Sequence, residues 1–327
     1  MMWMTWRQHR GAAAGALIAL AAICALLIPD GFSMHHTFDN LNLTSCTGSN
    51  PAAGCSGLLQ QFRPSSLVAA TPWFALIPLL LGVLAGAPLV ARELETGTYR
   101  LVWAQATTRT RWITVKLCIL ALGVTAVSAA FAMTVTWWRA PVDALTGTSA
   151  NTRLGSSIFN VEGPVVVGYA LFAFFLGVLA GAILKRTLPA IVAAGMVLLA
   201  LLLLTQTYLR PHYLPPVTTI STFSTADGGS FAPDSTGTPG DWLLDWGVID
   251  AQGHRLDPQH IQAIMGDAYN ARTPIGDYLN SHGIRHLLVY QPAGRFWTFQ
   301  LIETGLYLGA AAILAVTSLI YVQRRLP

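Results

Sequence analysis

Charge is what this chain has least of. Charged residues make up 10% of its 327 residues, whereas hydrophobic residues make up 53% and the mean hydropathy is +0.51. Soluble domains carry about 25% charged residues, so this composition predicts a membrane protein. Lysine occurs only as Lys116 and Lys185, preceded by Val115 and Leu184. Neither position fits Gly-x4-Gly-Lys-Ser/Thr, which excludes ATP hydrolysis through a phosphate-binding loop of this chain.

Motifs for other chemistry are also missing from the sequence. It contains neither H-E-x-x-H nor G-x-S-x-G, so zinc-protease and serine-hydrolase sites have no support. His282 and His286 are four residues apart, but Gly283 lies between them and is expected to end the local helix. We therefore predict no catalytic residue, no metal site and no nucleic-acid partner.

Cysteine is scarce, with four residues in two different settings. Cys24 and Cys118 fall in apolar runs and are expected to act as small core residues. Cys46 and Cys55 lie in a polar segment rich in Gly, Ser and Asn. A disulfide between these two is predicted if the segment lies outside the cytoplasm, and two free thiols are the alternative.

Long apolar runs are what the chain has in abundance. Six are long enough to cross a hydrocarbon core of about 30 Å, and spans of this kind must be helical because lipid cannot satisfy backbone polar groups. They cover about 12–29, 67–90, 113–137, 164–184, 187–209 and 297–321. The predicted fold class is an all-α polytopic membrane protein with six transmembrane helices.

The distribution of basic residues predicts the orientation. With the N-terminus in the cytoplasm, the short inner segments hold 11 of the 19 Lys and Arg residues. The positive-inside rule therefore predicts that both termini are cytoplasmic. The predicted organisation is a membrane part, 1–209, with an inner link at 91–112; an extracytoplasmic domain, 210–296; and a last span with a basic C-terminus, 297–327.

The N-terminal segment mixes large apolar and basic side chains, including Trp3, Trp6, Arg7 and Arg10. This mixture predicts a helix lying in the membrane interface before the first span. A simple basic anchor is the alternative.

The segment 210–296 has the pattern of a small α+β insertion. Asp257-Pro258 is typical of a helix start, and apolar residues follow it at helical spacing. Thr273-Pro274 predicts a second short helix that ends at Gly283. Residues 242–250 and 284–290 are predicted strands, and 221–240 is a predicted loop.

One heptapeptide, Leu-Gly-Val-Leu-Ala-Gly-Ala, occurs twice, at 81–87 and 176–182. It places Gly82 and Gly86 in the second span and Gly177 and Gly181 in the fourth, with the spacing that permits close helix approach. Gly305 and Gly309 share this spacing in the last span. Chance in a chain rich in Ala, Gly and Leu is the alternative.

Polar residues inside spans indicate function because they are costly there. Glu303 lies about two turns into the last span, and Gln206 lies in the fifth. Both are candidates for lining a translocation path or pairing with another helix. For Glu303 the alternative is interfacial placement, with its head reaching water or Arg295. Three prolines in the second span, Pro72, Pro78 and Pro88, also predict kinks.

The link after the second span reads Ala-Arg-Glu-Leu-Glu-Thr-Gly-Thr-Tyr-Arg and continues to Lys116. With six spans and a basic amphipathic N-terminus, it resembles the ABC-2 family of transporter permeases. The stretches 5–10 and 290–305 are similar to permeases encoded beside ATPases in actinobacteria. The large 210–296 segment departs from many family members.

This resemblance implies that the chain is the membrane subunit of an ATP-driven exporter in a bacterial plasma membrane. It implies a separate P-loop ATPase, in two copies, that binds ATP and Mg, and a second permease subunit that is expected to be identical. The acidic residues are expected near a helix start, the basic residues near its end, and an apolar surface between them. The residues implied in ATPase coupling are Glu93, Glu95, Gly97, Thr98, Arg100, Leu101, Val102, Trp103, Arg109 and Arg111.

The scarcity of charge in the spans favours an amphipathic or hydrophobic cargo, such as a drug, peptide or lipid. The competing hypothesis is a membrane sensor or assembly protein that transports nothing and binds a ligand with its extracytoplasmic domain.

Overall fold

A computed structural model describes residues 2–47, 55–96, 109–145, 152–223, 240–270 and 274–325. Most of this structure is helical. Its α-helices are α1 (Met2–Asn40), α2 (Cys55–Gln61), α3 (Thr71–Phe74), α4 (Leu76–Thr96), α5 (Arg109–Leu145), α6 (Ser156–Phe159), α7 (Val165–Leu184), α8 (Thr187–Leu204), α9 (Pro258–Asn270), α10 (Ile275–Ser281) and α11 (Phe296–Arg325). A π-helical turn, Thr205–Leu209, continues α8.

Six helical segments are long and apolar enough to cross a membrane, which confirms the predicted fold class. They are Ala13–Asn40, Ser66–Glu95, Ile113–Leu145, Val165–Leu184, Thr187–His212 and Ala293–Arg324. The predicted cytoplasmic location of the termini remains a prediction.

Several helices are longer than their apolar runs. Helix α1 extends without a break to Asn40, eleven residues beyond the predicted end of the first span at about residue 29. No break separates the predicted interfacial segment from this span, and Arg10 is exposed. The side chains of Trp3, Trp6 and Arg7 lie outside the described residues, so their interfacial placement remains a prediction. Helix α5 likewise continues to Leu145 rather than ending near residue 137.

The second span is broken where its prolines predict. A short 3₁₀ turn, Ser66–Ala70, leads into α3, and α4 begins only after Ala75. Pro78 has no N–H to donate to the carbonyl of Phe74, so a continuous α-helix would lack that bond. Pro88 lies inside α4 without ending it.

Helix α7 is at the centre of the bundle. Glycines of α4 and α7 allow these two helices to pack closely against each other. A Cβ atom at Gly82 or Gly86 would overlap the carbonyl oxygen of Ala170 or Phe174 on α7. A Cβ atom at Gly177 would lie 2.9 Å from the backbone nitrogen of Ala87. The two copies of the heptapeptide therefore pack against each other. Gly305 and Gly309 differ, because no described residue packs within 4 Å of a Cβ atom built at either position.

Between α8 and α11 the chain forms a small antiparallel sheet of β1 (Val217–Ser221), β2 (Trp242–Ile249) and β3 (Arg285–Gln291), in the order β1-β3-β2. Tyr290 of β3 pairs with Val217 on one side and Leu243 on the other. The strand β1 was not predicted, and residues 224–239 of the predicted loop lie outside the described structure. Phe223, Val248, Leu279 and Ile284 form the core of this domain.

Near the end of α1, Cys46 and Cys55 are joined by a disulfide. This confirms the predicted pairing. The bond closes the segment after α1 and fixes its return towards α2 and the second span.

Candidate functional site

A buried ion pair links the end of the fifth span to the sixth. Arg210 and Glu303 are both fully buried, and two guanidinium nitrogens, Nε and Nη2, lie 2.9 Å from the two Glu303 oxygens. This two-bond geometry is the strong form of an arginine–carboxylate pair. The interfacial alternative for Glu303 is therefore wrong. Arg295 instead donates to the carbonyl of Pro215 and to Gln291.

Three further polar side chains complete the pair. Tyr169 of α7 donates to Glu303, and the Tyr213 hydroxyl lies 3.1 Å from the other Glu303 oxygen. Asn160 accepts from Arg210 Nη2 at 2.7 Å, and its Oδ1 lies 3.2 Å from the Tyr169 hydroxyl oxygen. Burial and the Glu303 carboxylate raise the pKa of Tyr213, so its phenol stays protonated and remains a donor. The cluster therefore ties α7, α11 and the end of the fifth span together.

The π-helical turn at Thr205–Leu209 positions this cluster. Such turns insert one residue into an α-helix and occur frequently at functional sites. Here Thr205 bonds to Tyr307 of α11 at 3.1 Å, and Arg210 follows directly with its guanidinium 4.0 Å above the Phe159 ring. The chain then forms a 3₁₀ turn, Arg210–His212, in which the missing N–H of Pro211 costs no helical bond, and the helical segment ends at His212.

A second charged network joins the end of the third span to the segment between the third and fourth spans. Buried Arg139 of α5 donates to Asp143 at 2.8 Å and to Thr71 at 2.9 Å, and its Nε lies 3.4 Å from Glu162. Arg153 binds the other Glu162 oxygen at 2.9 Å. Burial, together with the Asp143 carboxylate, raises the pKa of Glu162 to about 8 against the opposing effect of Arg153.

At the other end of the bundle, both acidic residues of the predicted coupling link bind within the chain. Glu93 forms a largely buried ion pair with Lys116 of α5. Glu95 is exposed, and its two oxygens accept from the backbone N–H and the hydroxyl of Thr187, each at 2.8 Å. Thr187 is the first residue of α8, so Glu95 stabilises the N-terminus of that helix.

Glu93 and Glu95 lie in the last turns of α4, and Arg109 and Arg111 begin α5. The backbone dipole disfavours an acidic residue at the end of a helix, and the bonds of Glu93 to Lys116 and of Glu95 to Thr187 offset that cost. The coupling helix expected between these charges remains a prediction. Residues 97–108, including Gly97, Thr98, Arg100, Leu101, Val102 and Trp103, lie outside the described structure, as does the Arg109 side chain. Arg111 is exposed.

A cavity of about 220 Å³ adjoins the Arg210–Glu303 cluster. It lies between the start of the second span and the end of the fifth. Its lining includes Gln206, Asn160 and Tyr169, whereas Glu303 is enclosed behind Tyr169. The structure thus brings the two predicted path residues to one region but places only Gln206 at the cavity. Within the described ranges, no three His, Cys, Asp or Glu side chains are grouped as a metal site requires.

The family model described as ABC-2 membrane transporter related matches residues 17–210. The chain belongs to this family. No curated protein and no solved structure matches it. Membership makes the chain a permease-type transport subunit in a membrane and implies an ABC ATPase as its partner.

The ABC-2 match ends at Arg210, so the small sheet domain and the last span lie beyond it. Sequence reasoning missed Arg210 itself, together with Arg139, Asn160 and Glu162. One signal was available, because Arg210-Pro211 directly follows an apolar run, where an arginine needs a partner. Nothing in the sequence indicated that the partner would be Glu303, 93 residues away.

Proposed function

We propose that this ABC-2 family member is the membrane subunit of an exporter that moves an amphipathic or hydrophobic compound out of a bacterial cell. In this proposal a separate P-loop ATPase subunit binds ATP and Mg and hydrolyses the ATP. Two permease subunits and two ATPase subunits form the transporter. The family match over residues 17–210 carries the proposal, and the lack of a P-loop lysine makes the separate ATPase necessary.

The contacts of Glu93 and Glu95 support a coupling role for the link. They attach the last turns of α4 to the third span through Lys116 and to the fifth span through Thr187. A displacement of residues 97–108 by an ATPase would therefore act on three spans at once. Since α4 also packs through its glycines on α7, this displacement would reach the centre of the bundle.

The experiment is purification of the affinity-tagged chain from its native membrane, with identification of the chains that co-purify. We expect a P-loop ATPase to co-purify and its ATP turnover to rise when the permease is present. If no ATPase associates, the chain has no source of ATP hydrolysis to drive export. The sensor hypothesis then replaces the exporter hypothesis.

A pair of variants tests the coupling part of the proposal. Glu95→Ala removes both bonds to Thr187, whereas Glu95→Gln keeps an acceptor for one of them. The lost bonds loosen the contact between α4 and α8, so we expect stimulated turnover to fall in the alanine variant and to fall less in the glutamine variant. Equal turnover and transport in both variants and the wild type would remove Glu95 from coupling.

A further inference from the structure

The cavity beside the Arg210–Glu303 pair contains polar groups that have no hydrogen-bond partner among the described residues. Gln206 is half-buried near the end of the fifth span, and its amide makes no hydrogen bond to any described residue. The hydroxyls of Ser156 and Ser157 also make none within the described ranges. Unpartnered amides at membrane depth are costly, so they indicate a ligand or a polar path.

Asn160 adds a donor to the same cavity. Its oxygen accepts from Arg210 and lies 3.2 Å from the Tyr169 hydroxyl oxygen, and its Nδ2 group has no partner among the described residues. Asn160 as a whole is only 6% exposed. Its Nδ2 atom, however, is not fully buried. The Nδ2 group therefore retains contact with accessible space, and the cavity that Asn160 lines provides it.

The charges at this site cancel. Arg210 and Glu303 neutralise each other in a two-bond ion pair behind Tyr169 and Asn160. None of the residues that line the cavity carries a charge of its own. An anionic or cationic head group would lose its hydration without gaining a counter-charge, which disfavours its binding.

The rest of the cavity wall is apolar and reaches the outer surface of the bundle. Leu199 and Leu203 of α8 line it and are 50% and 61% exposed, within a segment long enough to span the membrane. The volume of about 220 Å³ is below the roughly 300–1,000 Å³ of pockets that enclose drug-sized ligands. It fits a head group whose tail continues past the two leucines.

We propose that this cavity binds the uncharged, hydrogen-bonding head group of a membrane amphiphile, with its acyl or alkyl tail lying in the bilayer along Leu199 and Leu203. The amide of Gln206 and the Nδ2 group of Asn160 donate to acceptor oxygens of the head group, and Ser157 binds its hydroxyls. The proposed binding site depends only on the cavity and its polar groups. Transport of the bound amphiphile is a further step that rests on the proposed function.

The test uses the full chain in nanodiscs and a monoacylglycerol that carries a photoreactive diazirine on its acyl chain. After irradiation, peptide mapping locates the labelled residues. We expect labelling concentrated at 199–206 and 72–79. Unlabelled monoacylglycerol should reduce it about fivefold, whereas lysophosphatidic acid of the same chain length should reduce it about twofold at most. Equal competition by both lipids, or labels spread over all lipid-facing helices, would overturn the proposal.

Matched variants test the contacts. Gln206→Leu removes the unpartnered amide and should weaken labelling about fivefold, and Ser157→Ala should weaken it by a smaller factor. Thr207→Val is the control, because Thr207 lies in the same π-helical turn but bonds to the carbonyl of Leu203 at 2.7 Å and is exposed away from the cavity lining. It should label like the wild type.

Wild-type labelling of both Gln206→Leu and Ser157→Ala, at unchanged melting temperature, would refute the assigned contacts. No ATPase or ATP is present in this assay. If the lipid labels the cavity specifically but no ATPase co-purifies with the tagged chain, only the proposed function is contradicted. If an ATPase co-purifies and is stimulated but labelling is not specific, only the binding site is contradicted.

Discussion

Removing one charge of the Arg210–Glu303 pair should destabilise the protein strongly. Glu303→Leu leaves the buried guanidinium without a counter-charge. Arg210→Met leaves a buried carboxylate in the same position. Loss of one partner from a buried ion pair costs about 3–5 kcal/mol of unfolding free energy, and we expect this from each single variant.

The double variant Arg210→Met/Glu303→Leu should cost much less than the sum of the singles. It leaves no buried charge. Its main cost is the loss of three hydrogen bonds, from Tyr169 and Tyr213 to Glu303 and from Arg210 to Asn160. At about 1 kcal/mol for each lost bond, the double variant costs about 3 kcal/mol. The singles sum to about 6–10 kcal/mol. The expected coupling energy is therefore at least about 3 kcal/mol.

A double-mutant cycle measures this coupling by reversible unfolding of the chain in mixed micelles. The matched control is the exposed pair of Arg255 and Asp245, whose closest atoms lie 2.8 Å apart. Exposed pairs contribute about 0–1 kcal/mol, so Arg255→Met and Asp245→Asn should be nearly neutral and additive. Additive costs at Arg210 and Glu303, or single costs no larger than in the control pair, would refute the reasoning.

Three other predictions follow from the described contacts. In the folded state the pKa of Glu162 is raised to about 8, so between pH 5 and pH 8 the folded state keeps a proton that the unfolded state loses. The melting temperature should therefore fall from pH 5 to pH 8, and this pH dependence should disappear in Glu162→Gln. Gly86→Val should cost at least about 1–3 kcal/mol by forcing α4 from α7, whereas Gly123→Val, at a position with open space, should be neutral in the same unfolding assay. Replacing Cys46 and Cys55 by serine should lower unfolding free energy by about 2–3 kcal/mol, and a reductant should then have no further effect.

Local pattern was sufficient to locate the six spans and most of the elements between the fifth and the sixth. The six spans follow from runs of apolar residues, because a helix is the only structure that satisfies an isolated backbone in lipid. The start of α9 at Pro258 follows from Asp257, whose carboxylate accepts from the backbone of His260 at 2.9 Å. Helix ends were less predictable, since α1 and α5 extend past their apolar runs into polar sequence where packing maintains them.

The candidate site depended on contacts between distant segments. Glu303 was identified from sequence because a carboxylate within a span is costly, but its partner could have been Arg295 by proximity. The fold instead placed it beside Arg210. The link glutamates illustrate the same point, since pattern predicted a charged link but only the packed bundle pairs Glu93 with Lys116.

The sequence by itself determined that this protein lies in a membrane, has six spans and has no P-loop of its own, because hydropathy and motifs depend on neighbouring residues. The tertiary structure decided which polar groups are neutralised and which remain open to a cavity. That decision depends on burial and on distances of about 3 Å between helices far apart in the chain, so no local pattern contains it.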